Sequence, residues 1–204
     1  MFGLFRKKLP HCDDLFQIYL SPWYIENERP TMTRPDIYII AGFEGEPLNL
    51  EEIQYLPDEL LHQAKEQIKV ITDAALKDFQ SIIQADHLTF EVLDAVDKYY
   101  NRQIISEIIK ESNPEDYANL YLTSVCEFGA TIGNLFNELE GFDWLYSYPY
   151  FHSIIVHKET GFGITVFDWA VKKFSEYGVE DGFVAKFYAA LESIQKYQKE
   201  NNEA

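Results

Sequence analysis

The segment from Ser112 to Gly141 constrains the fold more than any other part of the sequence. It begins with a capping residue, a proline and two acidic residues, a pattern that is typical of a helix start. Its apolar residues cover most of the helix circumference, so the sequence predicts a helix at the centre of the fold. The residues of the predicted apolar faces are Tyr117, Tyr121, Leu122, Ser124, Val125, Phe128, Gly129, Ile132, Leu135, Phe136 and Leu139.

Two glycines, Gly129 and Gly133, lie one turn apart on this helix. Each destabilises a helix by about 1 kcal/mol relative to alanine. Together they leave a smooth notch where another part of the chain can approach closely. We expect tight packing against the sheet there, in preference to a bound ligand.

Apolar stripes at steps of three and four residues predict four further helices. The longest runs from Asp58 to Gln84. A second begins with Thr89 as N-cap and runs to Lys110, and two shorter helices cover 168–177 and 181–200.

Alternation of apolar and polar residues replaces the helical period after Gly141, which predicts a hairpin with Lys158–Gly161 as its turn. Alternation also occurs near the beginning of the chain. The predicted strands are 14–20, 36–41, 143–148, 150–157 and 162–167. These elements predict an α+β fold in which the helices pack on a small antiparallel sheet.

Repeats, low-complexity tracts and linkers are absent from the sequence, so we predict a single domain over residues 1–204. Its parts are an irregular or β-rich segment 1–55, a helical segment 56–141, a β-hairpin region 142–167 and C-terminal helices 168–200.

The formal net charge of −17 and the pI near 4.6 bear on the partner. A field of this sign repels phosphate backbones, which makes nucleic acid an unexpected partner and a basic protein a favoured one. The ordinary alternative is that the acidic surface keeps the protein soluble.

Cys12 and Cys126 are far apart in the sequence and form no CxxC pair, which fits a reducing compartment and predicts a cytoplasmic protein. No apolar run reaches the roughly 18 residues of a membrane span. We expect Cys126 to be a small buried residue.

Familiar catalytic and phosphate-binding motifs are absent, and the histidines form no ligand cluster. His152 and His157 lie five apart in a predicted strand, which would place them on opposite faces. His11 and Cys12 precede two acidic residues, Asp13 and Asp14, and together these residue types could form part of a metal site. We interpret their proximity as coincidence. The residues predict no metal site and no cofactor. Glu138, Glu140 and Asp143 cluster at a predicted helix end, where we expect them to be solvated.

An aromatic row occupies alternate positions from Trp144 through Tyr146 and Tyr148 to Tyr150. If this face lies inward, it is core. If it lies outward, it is an aromatic strip rimmed by acids, and such strips occur at the centres of protein interfaces. Core packing is the favoured alternative, although Pro149 indicates an edge strand or a bulge.

Residues 117–175 carry a family resemblance. The segment Phe128-Gly129-Ala130-Thr131-Ile132-Gly133, then Gly141-Phe142-Asp143-Trp144 and a hairpin, resembles uncharacterised bacterial families with a Gly-Ala-x-x-Gly helix and a Gly-x-x-Trp motif. Some families of this kind belong to toxin–immunity systems. The resemblance implies an architecture and carries over no catalytic residues.

The leading functional hypothesis is a non-enzymatic protein-binding domain, in the specific form of an immunity-type inhibitor of a basic partner. Its candidate binding residues are Trp144, Tyr146, Tyr148, Tyr150 and His152. Two alternatives stay open: a small hydrolase that uses carboxylates and His152, and a structural subunit that self-associates through the aromatic strip.

Overall fold

Helices account for most of the described chain. The structure, a computed structural model, describes residues 8–24, 47–53, 55–83 and 89–202. The helices in this part are α1 Cys12–Tyr19, α2 Asp58–Ile83, α3 Phe90–Tyr99, α4 Arg102–Glu111, α5 Leu120–Asn137, α6 Val166–Lys173 and α7 Phe183–Asn202. The strands are β1 Phe142–Leu145, β2 Ile154–His157 and β3 Gly163–Ile164. The predicted α+β fold is therefore confirmed.

The central position of α5 follows from its apolar circumference. Every residue from Ser124 to Gly133 is buried, and the helix contacts α2, α3, α4, α6 and the sheet.

Helix α5 begins later than predicted, because the side chain of Asn119 accepts a hydrogen bond from the Leu122 amide and so forms the N-cap. The residues that resembled a helix start make turns instead. Ser112 Oγ accepts a hydrogen bond from the Tyr121 amide at 2.7 Å.

The two glycines of α5 receive aromatic rings, which confirms the predicted close packing. A Cβ atom at Gly133 would lie 2.2 Å from the Trp144 ring of β1. A Cβ atom at Gly129 would lie 2.5 Å from the ring of Phe167 and 3.1 Å from its Cα. Phe167 belongs to α6, so the notch joins α5 to both the sheet and the following helix.

Within the described ranges, the sheet is a three-stranded antiparallel meander in the order β1-β2-β3. Trp144 pairs with Ile155, and Ile155 pairs with Ile164. The turn between β2 and β3 lies where the sequence predicts it, since the His157 amide donates to the Phe162 carbonyl at 2.8 Å. Gly161 has φ +73°, a conformation that glycine adopts without strain.

The strand predicted over 14–20 is wrong, because this segment forms α1. The His11 side chain accepts a hydrogen bond from the Asp13 amide at the helix start, and two acids lie in the first turn. The buried residues Cys12, Leu15, Phe16 and Tyr19 follow the helical period. The strand predicted over 36–41 lies outside the described residues.

The helix predicted from Thr89 to Lys110 is two helices. Thr89 caps α3 as predicted, but Tyr100 leaves the helical conformation with ψ 60°. Asn101 then caps α4 by accepting hydrogen bonds from the amides of Gln103 and Ile104. The predictions for α2, α6 and α7 agree with the structure to within a few residues at each end.

A buried ion pair joins α3 to α6. Lys173 Nζ lies 2.7 Å from Asp97 Oδ1, and both side chains are nearly inaccessible to solvent. Around this pair, the buried apolar residues from Leu9 to Ile194 form one continuous cluster. The division of the chain at residues 55, 141 and 167 stays a prediction.

Candidate functional site

The aromatic row does not lie on one strand face. Strand β1 ends at Leu145, a loop follows, and Tyr150–His152 form a 3-10 turn before β2. Proline cannot donate a ladder hydrogen bond, and Pro149 is the N-cap of this turn. The strands predicted over 143–148 and 150–157 are therefore shorter in the structure, Phe142–Leu145 and Ile154–His157, and each aromatic residue of the row has its own environment.

Trp144 is a core residue. Its side chain occupies the notch at Gly133 and is buried. The indole Nε1 donates a hydrogen bond to Asn134 Oδ1 at 3.2 Å, and Asn134 Nδ2 donates to Thr72 Oγ1 of α2 at 2.6 Å. These contacts fix the sheet against α5 and α2 and leave little of the ring for a partner.

Tyr150 is also buried, and its hydroxyl contacts the Cys126 thiol and the Tyr117 hydroxyl. Burial raises the pKa of Tyr150 far above its usual range. Burial likewise raises the pKa of the Cys126 thiol to about 12, so the thiol is neutral and a poor nucleophile near neutral pH. The expectation that Cys126 is a small buried residue is confirmed.

Tyr146 and Tyr148 are the half-buried members of the row. The Lys65 ammonium of α2 lies 5.3 Å from the centre of the Tyr146 ring, which stacks on Trp144 at 6.1 Å. Lys65 and Lys69 both line the adjoining cleft, whose volume is about 330 Å³. The rim beside Tyr146 thus carries cations as well as acids.

His152 lies outside β2, so the argument from opposite strand faces does not apply to it. Its half-buried ring meets the Tyr24 ring edge-on at 5.2 Å. His157 is buried in β2, with Nδ1 at 3.0 Å from Thr160 Oγ1, and burial lowers its pKa.

An apolar groove beside α2 places one predicted site residue, Tyr150, next to solvent-exposed apolar groups. We call it the α2 groove and define it by its lining residues Glu66, Gln67, Val70, Ile71, Tyr117 and Tyr150; its volume is about 260 Å³. Val70 is 62% exposed and Tyr117 is 44% exposed. Trp23 packs edge-on against Tyr117 with ring centroids 5.0 Å apart, which limits the positions that this ring can take.

Sequence reasoning missed both exposed apolar residues of the groove, Val70 and Tyr117. The sequence predicts Tyr117 on the core face of the central helix, but α5 begins at Leu120, so Tyr117 lies in the turns before it. Val70 lies outside the apolar stripe of α2, and an apolar residue on an otherwise polar helix face was the available signal.

One group of three potential metal ligands occurs in the described ranges, and it consists of His11, Cys12 and Asp13. Each residue offers one ligand atom, and these atoms lie within 4.8 Å of one another. The 3.4 Å hydrogen bond from the Asp13 amide to His11 Nδ1 explains the position of the imidazole by helix capping. A structural zinc site takes four ligands, and this group offers three.

Glu138, Glu140 and Asp143 are exposed, so the prediction that they are solvated is confirmed. No helix among the described residues is long and apolar enough to cross a membrane. No protein-family model matches the sequence, and no curated protein or solved structure matches it. The resemblance to immunity-like bacterial families therefore stays a prediction.

Proposed function

We propose that this chain is a non-enzymatic binding protein that docks a basic partner protein through the α2 groove. An immunity-type inhibitor of a basic toxin is the specific form of this proposal. The observation that carries it is Val70, a β-branched residue 62% exposed on the wall of an apolar groove.

The groove has the composition of an interface centre. Tyr117 contributes an exposed aromatic ring, the largely buried Tyr150 also lines the groove, and Val70 and Ile71 contribute aliphatic carbon. Tyrosine is enriched where binding energy concentrates, because it buries a large area at a small cost in conformational entropy. We infer that an apolar or aromatic side chain of the partner enters this groove.

The negative charge of the chain favours a positively charged partner. A net charge of −17 steers basic proteins inward and repels nucleic acid. Cys12 and Cys126 are both buried and are not joined by a disulfide, which supports a reducing compartment and, as part of the proposal, the cytoplasm.

The test compares captured proteins across variants of the tagged chain at low salt. Val70→Asn removes apolar surface from the groove without changing charge. Ile18→Asn is the matched control, since Ile18 is another exposed β-branched residue, 45% accessible on α1. We expect a stoichiometric basic protein that the wild type and Ile18→Asn retain and that Val70→Asn loses.

Retention by both variants would overturn the role of the groove. Self-association is the second possible outcome, in which the captured protein is another copy of this chain and sedimentation shows an oligomer that Val70→Asn dissociates. A carboxylate and His152 hydrolase stays a prediction, and a hydrolase screen of the wild type against His152→Ala tests it.

A further inference from the structure

A second concave site lies on the side of α5 that faces α3 and α4. We call it the Glu127 cleft; its volume is about 370 Å³, and α2, α3, α4 and α5 all contribute to its lining. Ligand pockets in proteins begin at roughly 300 Å³, so the cleft can hold a small molecule or an inserted side chain. Neither the aromatic row nor the α2 groove contributes a residue to it.

The environment of Glu127 indicates that this cleft binds a ligand. Its side chain lines the cleft, yet the residue is only 5% exposed. Across the ranges that the structure describes, no hydrogen bond or ion pair reaches its carboxylate. Burial removes much of the hydration of this carboxylate and no hydrogen bond from the described residues replaces it, which disfavours the charged form.

The charged residues around Glu127 are all of the same sign. Asp78 of α2 and Glu107 and Glu111 of α4 line the cleft, and no lysine or arginine is among the described lining residues. Four carboxylates that surround one concave surface concentrate a negative potential there, which favours a cation inside it.

Apolar groups form the rest of the wall. Ile104 and Ile108 of α4 line the cleft together with Leu120, which is 43% exposed. The rings of Tyr99 and Tyr100 lie on the same surface, and aromatic faces attract cations. A hydrated metal ion would make no use of this carbon surface, whereas a cation with a carbon chain would cover it.

We propose that the Glu127 cleft binds an organic cation that carries ammonium groups on a flexible carbon chain, with one ammonium paired to Glu127. The chain packs against Ile104, Ile108 and Leu120, and a further ammonium meets the acids at the mouth. The inference is independent of the α2 groove. Two sources supply this chemistry: a free polyamine, and a lysine side chain of a protein.

The protonation of Glu127 links binding to pH. Burial, and secondly the negative charge of Asp78, raise the pKa of Glu127 to about 7. A cation beside the carboxylate favours its ionised form and lowers that pKa, so binding releases a proton and strengthens as pH rises. The titratable groups that face Glu127 are Asp78 from α2, Tyr99 and Tyr100 from α3, Glu107 and Glu111 from α4, and Cys126 beside it on α5.

Titration calorimetry with spermidine tests the site, at about 0.1 M salt so that non-specific attraction to the acidic surface is screened. At about pH 8 we expect one site per chain, and binding at least about tenfold weaker for Glu127→Gln. Glu192→Gln on α7 removes the same charge from an exposed position and should bind as the wild type does. At about pH 6, where Glu127 of the unliganded protein is mostly protonated, titrations in buffers of different ionisation enthalpy should show close to one proton released by the wild type and none by Glu127→Gln.

A lysine tripeptide with blocked ends forms the second arm and separates the two sources. Spermidine binding that requires Glu127 indicates a free polyamine, and peptide binding alone that requires Glu127 indicates a protein side chain. Binding of neither ligand, or equal binding by wild type and Glu127→Gln, would overturn the proposal. A thermal melt of each variant confirms that the chain is folded.

Discussion

The ionisation of Glu127 predicts how the stability of the fold depends on pH. Its folded-state pKa of about 7 lies above the ordinary value of 4.5, chiefly because burial disfavours the charged form. Stability from this group is therefore complete below about pH 4.5 and is lost as pH rises through 7. Each unit of difference between the folded and the ordinary pKa corresponds to about 1.36 kcal/mol. The free energy of unfolding should therefore fall by about 3 kcal/mol in all.

Glu127→Gln removes this titration while it keeps the shape of the side chain. The difference in unfolding free energy between variant and wild type should therefore shift in favour of the variant by about 3 kcal/mol between pH 4.5 and pH 8. Urea denaturation followed by circular dichroism at a series of pH values measures it. Glu192→Gln on α7 is the control and should show a difference that is nearly constant with pH.

A difference for Glu127→Gln that does not change with pH would refute this reasoning. It would mean that the carboxylate is hydrated in the folded state. The main reason to expect a bound cation in the Glu127 cleft would then be removed. A change of the opposite sign would mean that a cationic partner already neutralises the group.

Three further predictions concern the core. Gly133→Ala should destabilise the fold by about 1–3 kcal/mol in thermal unfolding, because its Cβ would lie 2.2 Å from the Trp144 ring, whereas Gly182→Ala, with nothing within 4 Å, should change little. Lys173→Met should cost about 3–5 kcal/mol in urea denaturation, since it leaves Asp97 buried without its cation, and adding Asp97→Leu should recover part of this loss. Cys12 and Cys126 should react with a thiol reagent only at the rate of unfolding, because both are buried and the pKa of Cys126 is about 12. Fast reaction of Cys126 in the native protein would contradict its place in the core.

The parts of the fold that the sequence predicts well are those in which local pattern and packing agree. Gly129 and Gly133 weaken a helix unless another group packs closely on them, and Phe167 and Trp144 do so. The turn at Lys158–Gly161 also follows from residue type, because Gly161 takes a positive φ.

Short segments were predicted less well. Residues 14–20 satisfy both alternation and a helical period over two turns, and the His11 cap decides for the helix. The break between α3 and α4 escaped prediction because Ile104, Ile105, Ile108 and Ile109 continue an apolar pattern across it. Asn101 restarts the helix from within that pattern.

The two candidate sites depend on contacts between segments that are distant in sequence. Glu127 is one of many acids in the chain, and only α2, α3 and α4 together distinguish it by burying it. The α2 groove joins residues near 70, 117 and 150, so no local pattern could define it. Trp144 and Tyr150 were candidate binding residues by composition, and packing places both in the core.

The central claim is that a basic protein docks in the α2 groove. The most direct test is the affinity of the captured partner for Val70→Asn and for Ile18→Asn, measured by calorimetry at low and at higher salt. The account predicts that Val70→Asn binds at least about tenfold more weakly, that Ile18→Asn binds as the wild type does, and that salt weakens binding of all three. Equal affinity of Val70→Asn and wild type would contradict it.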